Sequence, residues 1–331
     1  GTLHLDDEGI LADSRIARET AWTWRDDSER AHAHALVADV EKRAASAHET
    51  WWDQPNSVGP EKLRARLRIP SGRTVVLFAG QVDRDAQNIL FAPHFRDNLH
   101  ALQWFVSALN TREDVFILGK HHPRSPTPPE EFARAMGSRG VWLREVSLED
   151  CLALCDRVAA VNSTVLYEGL MAGKPGLALG DGLFSGKRFL YEVHSLDAAE
   201  PAIDAWLRAE DFAPRRERWR DFAAHLLAHA LYTTRPPEQA GGLRGIDALA
   251  AELSIALGAH GARDYDALGA PWPAIDELAW WQQAHEQRHT GAKEVLRGLN
   301  ISAKALLGQR APQLYAWLLR MANRLWARGR V

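Results

Sequence analysis

The chain has 331 residues, enough for one large domain or two ordinary ones, and its 46% apolar and 25% charged residues are the usual balance of a soluble globular protein. A net charge of −3 gives no reason to expect a nucleic-acid partner. No apolar run reaches about 18 residues, so no segment reads as a membrane span, and no signal peptide is visible. The only cysteines, Cys151 and Cys155, stand at i and i+4 beside leucines and read as buried thiols rather than a disulfide or metal pair, which fits a reducing, cytoplasmic setting. Thirteen tryptophans read as core and domain-interface filler, with sugar stacking by one or two left open. The chain begins Gly-Thr rather than Met, as a piece of a longer chain would.

Residues 1–12 place Asp6, Asp7 and Glu8 before a Gly turn, taken alone a solvated loop. Residues 13–49 read as one helix capped by Asp13 or Ser14. Trp51 and Trp52, a Pro/Asn/Ser/Gly break and a short helix, EKLRARLR, complete a connector over 1–70 that can be the remnant of an acceptor lobe. From residue 71 to about 200, strand, loop and helix alternate. Strands are expected at 74–78, 115–118, 141–143, 158–161 and 176–179, and helices at 97–109, 130–138, 148–155 and 164–172. That alternation predicts an α/β fold with a doubly wound parallel sheet. After residue 200 strands disappear, and the pattern predicts an all-helical region over 201–331. Its last segment, 311–331, is basic and amphipathic, which suits either packing on the protein body or an anionic membrane surface at the inner face of a bacterial inner membrane.

The chemistry concentrates where three strands end. TVVLFAGQVDRDAQ runs from a buried-strand pattern into a loop holding Gln81, Asp83 and Asp85; VFILGKHHP ends in Lys120, His121, His122 and Pro123; RVAAVNST ends in Asn162, Ser163 and Thr164. Open α/β sheets bind ligands at the carboxyl ends of their strands, so these three ends predict one site. Asp83-Arg84-Asp85 matches the DxD that binds a metal–nucleotide complex in one class of glycosyltransferase, a match frequent by chance. GDGLFSGKR (180–188) has the wrong glycine spacing for a phosphate loop, and Arg188 stands where Ser or Thr must bind magnesium. His122-Pro123 with Lys120 would serve a phosphate or form a surface turn. Asn162-Ser163-Thr164 is a helix cap and equally an anion site. Glu168, little more than one turn along, would accept both hydroxyls of a ribose or face solvent.

Taken in order, GQVDRDAQ, FRDNLHAL, KHHP, NSTVLYEGLMAGKP and GDGLFSGK resemble the capsule polysaccharide biosynthesis family over roughly residues 5–195. That family contains bacterial β-Kdo transferases acting on capsule and O-antigen glycans. Gln81, Asp85, Lys120, His122, Pro123, Ser163, Glu168 and Gly173-Lys174-Pro175 match its motifs, and LDDEGIL is similar to its acidic-Gly-aromatic-Leu stretch, with Ile10 for the aromatic. The chain departs from the family at LFSGKRF, which replaces a Gly-Trp-Gly stretch. Family members carry a further Rossmann-like half before the acidic stretch, and the sequence has almost nothing there, as in a truncated chain or one whose acceptor half is lost or built differently.

The resemblance implies a two-lobed GT-B architecture with 71–200 as the nucleotide-sugar lobe, CMP-β-Kdo as donor, a glycan or glycolipid acceptor and no metal. It gives His122 and Lys120, with Pro123 and the N–H groups at Ser163 and Thr164, to the CMP phosphate, Gln81 to the same site and Glu168 to the ribose. Asp85 becomes the nucleophile of a retaining double displacement, with Glu8 or Asp7 handling the acceptor proton. An inverting enzyme would use Asp85 as a general base. Two other classes stand beside this reading: a non-catalytic nucleotide- or glycan-binding module of a capsule assembly complex, and a UDP-sugar-using transferase or epimerase.

Overall fold

The computed structural model of the chain describes residues 2–4, 11–46, 55–82, 86–92, 94–233 and 244–245. They belong to two compact units, Glu19–Ala223 and the pair Gly1–Arg18 with Ala224–Val331. The first unit contains, in chain order, α1 (Asp27–Ser46), α2 (Pro60–Leu67), β1 (Thr74–Ala79), α3 (Ala86–Phe91), α4 (Asn98–Ala108), β2 (Val115–Lys120), α5 (Pro129–Met136) and β3 (Gly140–Leu143). There follow α6 (Leu148–Leu154), β4 (Arg157–Ala160), α7 (Val165–Met171), β5 (Gly176–Ala178), β6 (Tyr191–Glu192), α8 (Glu200–Arg208) and α9 (Phe212–His225).

The six strands form one parallel sheet in the order β3-β2-β1-β4-β5-β6. β1 runs down its centre, and Val75 to Ala79 are buried on both faces, which is why their sequence is continuously apolar instead of alternating. After β3, at one edge, the chain returns across β2 and β1 to lay β4 against the far side of β1. The strand order therefore reverses between β1 and β4, and doubly wound sheets open a ligand crevice at the carboxyl ends of the strands flanking such a point. The predicted α/β class and all five predicted strands are present; the sixth, β6, consists of two residues and carries no pattern long enough to read.

Helices cover the sheet through a core in which Phe78, Phe95, Phe105, Phe132, Trp142, Tyr191 and Trp206 are the aromatic members. Trp206 is fully buried and donates its indole N–H to Pro175 O (3.1 Å), as a buried indole must if it is to leave no orphan donor. Arg157 closes the C-terminal end of α8 by donating to Trp206 O and Leu207 O (both 3.1 Å), two carbonyls that a helix end otherwise leaves bare. Trp142 and Trp219 are buried as well, in keeping with tryptophan as filler.

The single helix expected over 13–49 is instead a 3-10 turn, Leu11–Asp13, a four-residue helix, Arg15–Arg18, and then, after a break, α1. A helix start within the expected run explains the difference. Asp26 accepts from the Glu29 N–H (2.8 Å) and Glu29 accepts back from the Arg25 N–H (2.7 Å), a reciprocal cap available in the sequence as Asp-x-x-Glu. α1 then lies along α9, where Glu41 accepts from Arg220 (2.9 Å) and Asp221 accepts from Arg30 (3.0 Å) and His34 (2.8 Å).

α2 is fastened to the sheet unit by one carboxylate. Asp150, 1% exposed at the start of α6, accepts from Ser57 Oγ (2.7 Å), Val58 N–H (2.8 Å) and Gly59 N–H (3.0 Å). Burial works to raise its pKa, but these hydrogen bonds to the ionised form outweigh it and hold Asp150 below the ordinary carboxylate value.

In the other unit, Thr2–His4 pairs antiparallel with Leu231–Thr233, and Leu231–Thr233 pairs in parallel with Arg244–Gly245. This corrects the expectation of a C-terminal region without strands: helix α9 runs into a π-turn at Leu226–Ala230, and the chain extends at Leu231, where the β-rich LYT finds partners far away in sequence. The helices expected beyond residue 245, including the basic 311–331 segment, lie outside the described residues. Among the described residues no helix is long and apolar enough to cross a membrane.

Candidate functional site

Parallel pairing sends every strand's carboxyl end to the same edge. Ala79 of β1 is paired with Lys120 of β2, Phe78 with Ala159 of β4, and Ala160 with Ala178 of β5. The three chemistry-bearing strand ends therefore emerge side by side. At their centre, between β1 and β4, a side-chain amide network closes the sheet. Gln81 Nε2 donates to Asn162 Oδ1 (2.9 Å), and Asn162 N–H donates to Gln81 Oε1 (3.0 Å). Asn98 brackets the Gln81 backbone, accepting from its N–H (3.2 Å) and donating to its O (3.0 Å). All three side chains are buried. Gln81, expected as a ligand contact, is thus committed to the scaffold under the crevice.

At the end of β2 three side chains diverge. Lys120 turns inward, 6% exposed, and donates to His121 O (3.1 Å) and Arg144 O (3.3 Å); burial lowers its pKa. His121 is buried against Phe132 and Trp142, and its Nδ1 accepts from the Trp142 indole N–H (3.1 Å). An indole N–H is only a donor, so that nitrogen carries no proton. His122 is the half-exposed member. Its Nδ1 accepts from the Arg124 N–H (3.1 Å), which leaves the ring proton on Nε2 and makes Nε2 the donating atom. Pro123 is exposed beside it.

Beyond β4, Ser163 Oγ accepts from the Val165 N–H (3.3 Å), and Thr164 stands exposed at the cap of α7 with no side-chain capping bond. Glu168 lies on α7. It is mostly buried, no hydrogen-bond donor or cation among the described residues reaches its carboxylate, and burial pushes its pKa up to about 7. α7 ends as its sequence predicts. Gly173 takes φ +73°, and Lys174 N–H returns to Gly169 O (2.8 Å), before Pro175.

Asp85, Asp83, Glu8 and Asp7 lie outside the described residues. Among the described residues no cluster of three or more His, Cys, Asp or Glu is placed to hold a metal ion. Lys187 of GDGLFSGKR is fully buried, donates to Glu19 O and lies over the Phe222 ring (5.1 Å to its centroid), a scaffold position. Cys151 and Cys155 are buried free thiols, both pushed up to about 12 by burial. The sequence pattern gives no role to Asn98, although FRDNLHAL contains it, and reads Asn162 as part of a helix cap or anion site rather than as a partner of Gln81. A buried amide pairing two strand ends has no local spacing signature.

Residues 51–205 match the family described as Capsule polysaccharide biosynthesis protein. No curated protein sequence matches the chain. Among solved structures, the β-Kdo 2,4 transferase of KpsC from Thermosulfurimonas dismutans is 17% identical over 64% of this chain and 60% of its own, with a TM-score of 0.42. The β-Kdo 2,7 transferase of the same KpsC is 17% identical over 61% of this chain and 53% of its own (TM-score 0.37). Escherichia coli ADP-heptose lipopolysaccharide heptosyltransferase II is 13% identical over 50% and 56% (TM-score 0.34). The chain thus spans little more than half the length of these structures. Residues 51–205, the part of the chain that matches the capsule polysaccharide biosynthesis family, hold the sheet, the amide network, His122 and Glu168.

Proposed function

We propose that the chain is a glycosyltransferase of bacterial surface polysaccharide synthesis, building capsule or lipopolysaccharide O-antigen, and that its residues 71–200 are the nucleotide-sugar lobe of a GT-B enzyme. The donor is CMP-β-Kdo and the acceptor a glycan or glycolipid. The observation that carries this reading is Glu168: a desolvated carboxylate without a donor of its own among the described residues, on the helix that leaves the switch point. A ribose supplies two hydroxyl donors in the geometry one carboxylate accepts. The family match over residues 51–205 supports the same assignment.

In this reading His122 donates through Nε2 to the CMP phosphate, and the backbone at Ser163 and Thr164 adds donors. Lys120 contributes positive charge from beneath and holds the His121–His122 backbone through the carbonyl it binds. Fixed donors of this kind stabilise a departing phosphate without a metal. The Asp85 carboxylate attacks the anomeric carbon, the bond to the phosphate oxygen breaks and its electron pair leaves with CMP. The acceptor oxygen then displaces Asp85 with retention, and its proton passes to Glu8 or Asp7.

Thermal unfolding of the full chain with CMP, UDP, GDP and ADP tests the donor class. A nucleotide at about 100 times its Kd adds about 2.7 kcal/mol, a rise of about 5 °C. CMP alone is expected to give that rise. UDP alone would replace the donor with a UDP-sugar and favour a different transferase or an epimerase. No rise with any nucleotide would overturn nucleotide binding, and CMP binding with no transfer to any acceptor would favour a non-catalytic module.

A further inference from the structure

β3 pairs with β2 so that Trp142 stands opposite Gly119. The indole packs against that glycine: a Cβ there would run into the ring, and one at Gly80, just past the end of β1, would stand 3.3 Å from it. Phe132 of α5 stacks on the same indole in parallel, 4.4 Å between centroids and 6° between planes. Held between two strand ends and a stacked ring, the indole directs its N–H to His121 Nδ1 (3.1 Å). Three bonds therefore hold His121. Its N–H donates to Leu143 O (2.7 Å), its O accepts from Lys120 Nζ (3.1 Å) and its ring accepts from Trp142. His121 is 2% exposed, so a ligand in the crevice does not meet it. His122 is the next residue. Its Nδ1 accepts from the Arg124 N–H (3.1 Å) and its O from the Ser125 N–H (3.0 Å), so the turn closes on itself and takes its direction from His121.

We propose that His121 is a positioning residue: fastened by the Trp142 indole, it fixes the turn that carries His122 and so aims His122 Nε2 at the nucleotide's phosphate. The proposal rests on the reading of His122 as a phosphate donor. Its physical sense is twofold. A donor serves a developing phosphate charge only when it already stands about 2.7–3.1 Å from the oxygen, and a turn free to swing would lose that preorganisation. Packing alone also gives no reason for a histidine at 121. The site is lined by Phe132 and Trp142, where an apolar ring would fill the space without burying a polar group. What the imidazole adds is an acceptor for a donor-only indole.

Cytidine and CMP differ only by the phosphate, so the ratio of their affinities reads the phosphate contact by itself. Calorimetry on the full chain compares the parent with His121→Phe, Trp142→Phe and His121→Asn. The first keeps a ring and loses the acceptor, the second keeps a ring and loses the donor, and either guards against the other failing to fold. The third offers Oδ1 in place of Nδ1. Both Phe variants are expected to lose about 10-fold in CMP affinity, the order of one charge-assisted hydrogen bond, with cytidine affinity within about 2-fold. His121→Asn should recover CMP affinity to within about 3-fold of the parent. Nitrogen NMR of the neutral rings should find His122 protonated at Nε2 in the parent and in His121→Asn, and both tautomers in exchange in the Phe variants. Equal losses of CMP and cytidine affinity would overturn positioning in favour of plain structural support. An unchanged CMP affinity with a parent-like His122 spectrum would overturn it outright. A parent that binds CMP no more tightly than cytidine, with His122→Ala indifferent to the phosphate, would overturn the phosphate reading instead. The His122 spectrum of the Phe variants then decides the positioning alone: mixed tautomers uphold it and a parent-like spectrum overturns it.

Discussion

Gln81 and Asn162 exchange two hydrogen bonds, Nε2 to Oδ1 at 2.9 Å and N–H to Oε1 at 3.0 Å, across the one place in the sheet where the strand order reverses. Both residues are buried, so neither amide can turn to water if its partner is lost. Gln81→Leu keeps the volume and leaves an N–H and a carbonyl of Asn162 unpaired. At about 1–3 kcal/mol per buried orphan, the variant should lose about 3 kcal/mol in urea unfolding. A loss below 1 kcal/mol would show that the pair is not buried in solution.

Asp150 makes a second such test at a site remote from the crevice. Asp150→Ala strands Ser57 Oγ and two backbone donors, and should cost about 3 kcal/mol and release α2. Asp150→Asn should cost nearly as much, because its NH₂ group faces donors. The folded pKa is depressed, so the stabilisation is present above the ordinary carboxylate value and is lost as pH falls through the folded one. Acid titrations of parent and Asp150→Ala should therefore converge at low pH.

Glu168 reverses that sign. Burial raises its folded pKa to about 7 from 4.5, so the folded chain holds the proton more tightly and stability falls as pH rises from about 4.5 to 7. The full effect above that window is about 3 kcal/mol, and Glu168→Gln should abolish it. Ribose hydroxyls donate to the ionised form, so CMP affinity should rise about 10-fold per pH unit below pH 7 and level off above it. Calorimetric titration at pH 5.5, 6.5 and 7.5 reads this directly; affinity independent of pH would remove Glu168 from the ribose.

Asp85→Asn should abolish transfer and leave CMP affinity within about 3-fold, because the amide keeps the shape and loses the nucleophile. A sugar adduct on the parent, absent from the variant, would be visible by intact-protein mass spectrometry after incubation with donor alone. Retained turnover would sink the assignment.

Chelation separates the two readings of Asp83-Arg84-Asp85. With fixed donors serving the phosphate, turnover should survive excess EDTA unchanged. A loss restored by a divalent cation would return this motif to metal binding.

What the sequence by itself determined is local and periodic. The apolar run 75–79 has to be a strand buried on both faces, Gly173-Pro175 has to end a helix, and KHHP, NST and the Glu behind it lie, in that order, within the stretch 51–205 that matches the family model. Asp26-x-x-Glu29 was equally legible as a helix start, but alanine-rich flanks hid it. Only the tertiary structure decided which side chains of the motifs face the crevice. Lys120 and His122 stand two residues apart on the same strand end, yet one is buried and drawn to the His121 and Arg144 carbonyls while the other is half-exposed, its Nδ1 accepting from the Arg124 N–H. Gln81, read as a ligand contact, became a strut because its partner Asn162 is 81 positions away. Periodicity records which face a residue turns to the core; it holds no record of which distant group will satisfy a buried amide, and that pairing is settled only when the strands meet.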